Sequence, residues 1–331
     1  MERPEFSVVM PVFNEGALIV QTVDTLVAAL TAESSYEVVL VDDGSRDDTW
    51  AYIESLGARY SQVRGLKFTR NFGHQAALRA GIVHATGSAV ISMDSDGEHP
   101  PSLIPAMLEK WRAGAKVVQS VRKESQKLSL SKRASSKGFY RLFSWLAETP
   151  IQPGMADFRL LDREVVDILI HHPNASGFLR GFIPWTGFNT EYIEFEQGHR
   201  AAGVSKFTTK KMLGLARSGI IGFSVKPLRL SMVLGMLTCI FALVNLLYIL
   251  VVRIFYPETV VAGWATVTGL MALLGGVQLL VIGILGEYIA VLFETVRNQP
   301  VFIVDQKVGF EKRALEKQAF EKQALEKHLP A

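Results

Sequence analysis

The chain has 331 residues, a formal net charge of +3 and one cysteine, Cys239. That length accommodates a full-sized domain with its own core and further segments besides. Near-balanced charge excludes a global attraction to nucleic acid, and a lone cysteine excludes an internal disulfide.

The opening "MERPEFSVVMPVFNE" lacks the basic start and apolar run of a secretory signal, so the front of the protein is expected in the cytoplasm. Phe6–Val12 ("FSVVMPV") is a β-branched run ended by Pro11 and Asn14, and Leu18, Val23, Leu26 and Leu30 then recur at helical spacing. "YEVVLVDDGS" (Tyr36–Ser45) reads as a second buried strand that breaks into acids and Gly44, with Asp47 and Asp48 available to cap the next helix. Val63–Phe68, Ala89–Met93 and Ala115–Val121 read as further strands, with helices expected near residues 74–86 and 102–113. Near-continuous apolar strands alternating with helices predict an α/β domain over residues 1–205, with a mostly parallel sheet covered on both faces. Ligands of such sheets bind outside the carboxyl ends of the strands. Asn14, Glu15, Asp42, Asp43, Arg70, Asn71, Asp94 to Glu98 and Arg122 all fall at those ends.

Hydropathy changes sharply further on. Leu228–Val252 carries one charge, Arg229 at its edge, and Gly263–Leu285 carries none, with apolar texture continuing to Phe293. Each exceeds the roughly 20 residues that cross a hydrocarbon core. Spans at 228–253 and 263–293 are expected, the alternative being two buried helices of a large soluble domain. Lys206, Lys210, Lys211, Arg217, Lys226 and Arg229 crowd the start of the first span, whereas "RIFYPETVVA" between the spans holds one Arg and one Glu. The positive-inside rule then puts both termini in the cytoplasm. Residues 206–227 mix basic and apolar side chains as an amphipathic helix on a lipid bilayer would. Asn245 and Gln278 are expected to hydrogen-bond between helices, and the glycines of "LLGGVQ" and "GILGEY" permit close packing, in a homo-oligomer as well. A pentapeptide repeat from Phe310 to Leu329 makes residues 294–331 a solvated helical tail.

The chemistry concentrates in "AVISMDSDGEHPP" (Ala89–Pro101). If the extended conformation persists past Met93, Asp94, Asp96 and Glu98 project to one side. Hard divalent cations take such oxygen ligands and share them with substrate phosphates. An acidic turn explains the same residues equally well. Lys116–Arg141 adds eight Lys or Arg against one acid, Glu124, in a Ser-, Gly- and Lys-rich stretch suited to closing over phosphates. "GHRAAGVSKF" (Gly198–Phe207) adds Arg200, Ser205 and Lys206. Together these features point to moving a group from a nucleotide diphosphate to an acceptor in the bilayer.

The motifs "SVVMPVFNE", "VVLVDDGSRDDT", "RNFGHQAALRAGI", "MDSDGEHPPSLIP", "ADFRLLDREV", "GVSKF" and "GILGEYIAVLFETVRNQPVFIV" occur in this order over residues 5–305. Together they resemble the polyprenyl-phosphate glycosyltransferases, the dolichol-phosphate-mannose-synthase-like branch of glycosyltransferase family 2. The resemblance implies a GT-A fold, a nucleotide-sugar donor (UDP-glucose in the first place), undecaprenyl or another polyprenyl phosphate as acceptor, and Mg²⁺ or Mn²⁺ as cofactor. The product would be a lipid-linked sugar for cell-surface glycans, made at the bacterial inner membrane. It implies metal ligands at Asp94, Asp96 and Glu98, Glu98 standing where the family has Gln. Donor contacts are implied at Pro11, Asn14, Glu15, Asp42, Asp43, Arg70, Asn71, Asp94, Arg200 and Lys206. Acceptor-phosphate contacts are implied at Arg122, Arg133 and Lys137. Asp157, Asp96 and Arg122 form the catalytic set, with Asp157 in the position usually taken as the base. A phosphate monoester has a second pKa near 6 and is largely dianionic at neutral pH. Asp157 is therefore expected to orient the sugar, Arg159 or a metal-bound group rather than to remove a proton.

Three other readings are weaker. A processive polysaccharide synthase would carry a Q-x-x-R-W signature, which this sequence lacks. A nucleotide-sensing scaffold would not need Asp94 and Asp96 together with the basic loop. A transporter would need charges or broken helices within its spans.

Overall fold

The computed structural model describes residues 3–33, 35–123, 154–172, 179–196, 224–255, 263–297 and 299–310. Arg133, Lys137, Arg200 and Lys206 lie outside them, as do residues 206–223 of the amphipathic juxtamembrane stretch and 311–329 of the pentapeptide repeat. The chain divides into a sheet unit and a helical unit, and the residues that follow the helices rejoin the sheet unit.

The elements of the sheet unit follow the apolar runs. They are β1 (Phe6–Val12), α1 (Leu18–Ala29), β2 (Tyr36–Asp42), α2 (Thr49–Arg59), β3 (Val63–Phe68), α3 (His74–His84), β4 (Ala89–Ser92), α4 (Ile104–Arg112) and β5 (Val117–Arg122). Next come β6 (Met155–Asp162), α5 (Arg163–His171), α6 (Leu179–Trp185) and β7 (Thr190–Phe195). The last strand, β8 (Val304–Val308), follows the helical unit in sequence. The strands form one eight-stranded sheet in the order β7-β5-β6-β4-β1-β2-β3-β8. β1 pairs in parallel with β2 and β4, and β2 with β3, as the strand–helix alternation predicts. The sheet is nonetheless mixed, because β6 runs antiparallel between β4 and β5, and β8 runs antiparallel along β3. This is a GT-A-like α/β arrangement.

Every residue of β1 is buried, and Phe6, Val8 and Met10 pack with Ile19, Val23 and Leu26 of α1 and with Met107 and Leu108 of α4. The N-terminus of α2 is satisfied by Asp47, whose Oδ1 accepts from the Thr49 N–H (3.2 Å) and Thr49 Oγ1 (2.6 Å). Asp48 makes no side-chain capping bond there. The expected tail from residue 294 contains β8. Its exposed, charged "DQK" centre suits an edge strand and hides the strand from an apolar-run search.

In the helical unit, α7 (Lys226–Phe255) and α8 (Trp264–Arg297) pack on each other, and Tyr288 Oη donates to the Ser224 carbonyl at 2.7 Å. Both helices are long and apolar enough to cross a membrane. Leu243, Met271 and Leu279 are among the apolar side chains left exposed along them, so these helices do not behave as the buried core of a soluble domain. The Asn245 amide donates to the Phe241 carbonyl of its own helix (3.0 Å), not to the neighbouring helix as expected. Bonding back one turn satisfies the amide locally.

Candidate active site

The site is built where the carboxyl ends of β1, β2, β3 and β4 meet the start of antiparallel β6. Ser92 of β4 pairs with Arg159 of β6, and continuing that register by two residues sets Asp94 opposite Asp157. His74, the first residue of α3, lies between the two carboxylates. Its Nε2 is 3.6 Å from Asp94 Oδ1 and 3.5 Å from Asp157 Oδ2.

Asp157 is buried among cations. Arg180 of α6 grips it with two bonds, Nε to Oδ1 at 3.0 Å and Nη2 to Oδ2 at 2.8 Å. Arg159, itself fully buried, donates to Asp157 Oδ1, and the Gln75 amide reaches Oδ2 at 3.5 Å. Burial alone would raise the pKa of this carboxyl. The charges of Arg180 and Arg159 and the bond from His74 outweigh burial and hold it well below the usual carboxylate value. The same contacts act on His74. Burial opposes its charge, but Asp157 and Asp94 push its pKa above the ordinary 6.5.

The acidic motif is a turn rather than an extended strand. β4 ends at Ser92, and Gly97 takes a φ of +80°, which breaks the alternation that would align Asp94, Asp96 and Glu98. Glu98 folds inward, its Oε2 3.3 Å from Arg122 Nη2 at the end of β5. Among the described residues no group of three or more His, Cys, Asp or Glu side chains is arranged to hold a metal ion. The turn is fixed from below by His99. Its buried ring stacks on Phe158 (centroids 5.1 Å apart), and its Nδ1 accepts the Asp94 N–H at 3.0 Å. An accepting Nδ1 requires a neutral ring, and burial accordingly pushes the His99 pKa down.

At the ends of β1, β2 and β3 the loops tie one another down. Asn14, at a φ of +53°, donates its N–H to Ser45 Oγ and accepts the Arg46 N–H on Oδ1, both at 2.9 Å. Thr49 Oγ1 receives the N–H groups of Glu15 and Gly16. The Pro11 carbonyl accepts from Ser95 Oγ at 3.0 Å. Gly44 is required by contact as well as by its φ of +69°, since a Cβ there would lie 2.4 Å from the Arg70 carbonyl carbon. Asp43 and Asp42, adjacent in sequence, differ in use. Asp43 accepts the N–H groups of Phe72 (2.7 Å) and Gly73 and the Asn71 amide (3.0 Å), which shapes the loop entering α3. Asp42 accepts the Ser45 N–H on Oδ1, and among the described residues nothing hydrogen-bonds its buried Oδ2. Burial raises the pKa of both carboxyls.

The structure thus brings Asp94 and Asp157 together, pairs Glu98 with Arg122, and joins Asn71 to Asp43. His74, His99 and Arg180 were missed by sequence reasoning. For Arg180 the usable signal was indirect, because a carboxylate as buried as Asp157 demands cations.

Residues 7–169 match Glycosyl transferase family 2, and residues 226–292 match the GtrB C-terminal hairpin. An uncharacterized glycosyltransferase of Bacillus subtilis is 34% identical over 94% of this chain and 96% of its own. A prophage-derived bactoprenol glucosyl transferase of Shigella flexneri is 36% identical over 91% of this chain and 97% of its own. The chain belongs to glycosyltransferase family 2. Among solved structures, mannosyl-3-phosphoglycerate synthase from Rubrobacter xylanophilus aligns with a TM-score of 0.46 at 14% identity, covering 68% of this chain and 74% of that one. In this glycosyltransferase Arg180 lies between the two matched ranges, beyond residue 169 and ahead of the hairpin.

Proposed function

We propose that this glycosyltransferase moves glucose from UDP-glucose to undecaprenyl phosphate at the cytoplasmic face of a bacterial inner membrane, with inversion at the anomeric carbon. The observation that carries the reading is the 36% identity to a bactoprenol glucosyl transferase, which extends over 91% of this chain and so takes in sheet and hairpin alike. Two helices long and apolar enough to span a bilayer suit an acceptor that is itself a lipid.

In this reading a phosphate oxygen of the acceptor attacks the anomeric carbon, the bond from that carbon to the donor's diphosphate oxygen breaks, and the nucleotide diphosphate leaves with the bonding pair. Asp42, whose second oxygen has no hydrogen-bond partner among the described residues, is suited to accept an N–H from the nucleobase. Arg70, Arg200 and Lys206 supply positive charge for the diphosphate, and Arg122, Arg133 and Lys137 for the acceptor phosphate. Asp94 and Asp96 are partly exposed oxygen donors at an open strand end, a donor set that fits Mg²⁺ or Mn²⁺ completed by substrate phosphates. Such a cation, when bound, offsets charge on the departing diphosphate. Glu98 is occupied by Arg122 and is better read as setting that arginine's position than as a third ligand. Asp157, saturated by cations, holds Arg159, Arg180 and His74 beside Asp94 and does not take a proton. The dianionic acceptor does not require it to.

The test incubates purified full-length protein with undecaprenyl phosphate and a panel of labelled UDP-glucose, UDP-galactose, UDP-amino sugars and GDP-mannose, with and without Mg²⁺ or Mn²⁺. Labelled lipid is expected from UDP-glucose, only with a divalent cation. Failure to form lipid-linked sugar from any donor would refute the proposal.

A further inference from the structure

The strand that follows the second long helix is more than an edge cover. β8 pairs with β3 along Gly65↔Val308, Leu66↔Lys307 and Lys67↔Gln306, and the register then shifts so that Phe68 faces Val304. Shifts of this kind re-aim side chains at strand ends. Gly65 makes room for the pairing, since a Cβ there would lie 2.7 Å from Val308 Cγ1. Beyond the shift, the Thr69 N–H donates to the Ile303 carbonyl at 3.2 Å. The Phe302 ring stacks on buried Phe68 with centroids 5.4 Å apart and planes 9° from parallel. Phe68 meets Phe72 edge-on at 5.6 Å, and the Arg70 guanidinium lies 4.0 Å over the Phe72 ring. The backbone of that same Phe72 is held by Asp43. One continuous set of contacts therefore runs from Phe302 to Arg70, Asn71 and Asp43.

We infer that Phe302 is a positioning residue for the donor site: the segment after the second helix, through its stack on Phe68, sets the conformation of the Thr69–Gly73 loop that receives the sugar nucleotide. The inference rests on the proposed function in one respect, that this loop contacts the donor. β3 ends at the loop, and its last side chain, Phe68, is buried and in contact with both Phe302 and Phe72. Without Phe302, Phe68 and Phe72 would lose the surface that fixes their mutual angle, and Arg70 would lose its platform. An interaction of this kind acts first on donor affinity, because Asp94, Asp157, Arg159 and Arg180 belong to other elements, while His74 follows the loop as the first residue of α3.

The test uses full-length Phe302→Leu, which keeps apolar bulk but loses the ring, and Phe302→Tyr, which keeps the ring. Steady-state transfer to undecaprenyl phosphate is read together with amide hydrogen exchange of residues 69–73 and, as an internal reference, residues 6–12. In Phe302→Leu the donor KM should rise roughly three- to tenfold, the effect of one aromatic contact, with kcat within about twofold. Exchange should quicken at 69–73 and not at 6–12, and Phe302→Tyr should restore both readings. Unchanged exchange at 69–73 in Phe302→Leu would overturn the inference whatever the substrate proves to be. Faster exchange there with donor KM unchanged would overturn the donor role alone. If wild-type protein forms no lipid-linked sugar, the proposed function fails, and the exchange data still decide whether Phe302 holds the loop.

Discussion

Asp157 and Asp94 face each other across β4 and β6, one with 4% of its side chain exposed and the other with 28%. Two arginines and a histidine enclose Asp157, whereas among the described residues the side-chain nitrogens within 4 Å of the Asp94 carboxylate belong to His74 and His99. Identical side chains two strand positions beyond a paired residue have thus been given different tasks by their surroundings. The buried one is a structural anion that assembles cations. The open one remains available to a ligand.

The largest effect expected from this contrast is on stability. Asp157→Asn leaves Arg159 and Arg180 close together without their anion, and breaking such a buried pair costs about 3–5 kcal/mol. Denaturant unfolding measures it. The sign with pH follows from the depressed pKa of Asp157. Its contribution is complete above the ordinary carboxylate value of 3.8 and is lost only as the pH falls through the lower folded value. Wild type should therefore keep its advantage over the variant undiminished from pH 7 to pH 5. An advantage that fades across that window would mean that Asp157 is not held by its cations.

Asp94→Asn should behave in the opposite way, with stability close to wild type and kcat lower by about 10²–10³, the range for losing one electrostatic contact to developing charge. Equal losses of stability in the two variants would erase the distinction between them. The smallest effect belongs to Glu98→Gln. An amide can still accept from Arg122, so donor and acceptor KM should stay within roughly twofold, as for a part-exposed ion pair. If Glu98→Gln instead shifted the concentration of Mg²⁺ or Mn²⁺ needed for half-maximal rate by tenfold or more, Glu98 would be a ligand after all.

Sequence made some of this legible, and the reasons are local. β1, β2 and β4 announce themselves as largely apolar runs closed by turn residues, as at Phe6–Val12, whereas β3 and β5 interleave apolar with polar residues. β6 is hidden because "MADFRLLD" carries Asp157 and Arg159 inside a buried strand, where an apolar pattern is expected. β7 and β8 are edge strands with exposed polar residues and short apolar content. The carboxylates of the site were visible as strand-end acids. Their division of labour was not. Asp42 and Asp43 look alike in "VDDGS" until the N–H groups of Phe72 and Gly73 are seen to occupy Asp43. The alignment of Asp94, Asp96 and Glu98 on one side required a strand running on past Met93, whereas β4 ends at Ser92 and the chain turns at Gly97. Arg180 sits in a seven-residue helix with Pro184 inside it and has no motif to mark it.

The sharpest question is whether Asp157 anchors cations or takes a proton, and the pH dependence of transfer by Asp157→Asn answers it most directly. The variant's kcat/KM, measured from pH 6 to pH 9 against wild type with undecaprenyl phosphate as acceptor, should stay low and run parallel to wild type, because the acceptor is already ionised and the misplaced arginines are not restored by alkali. A variant rate that climbs towards wild type as the pH rises would show that deprotonation was the missing step, and would contradict an anchoring role for Asp157.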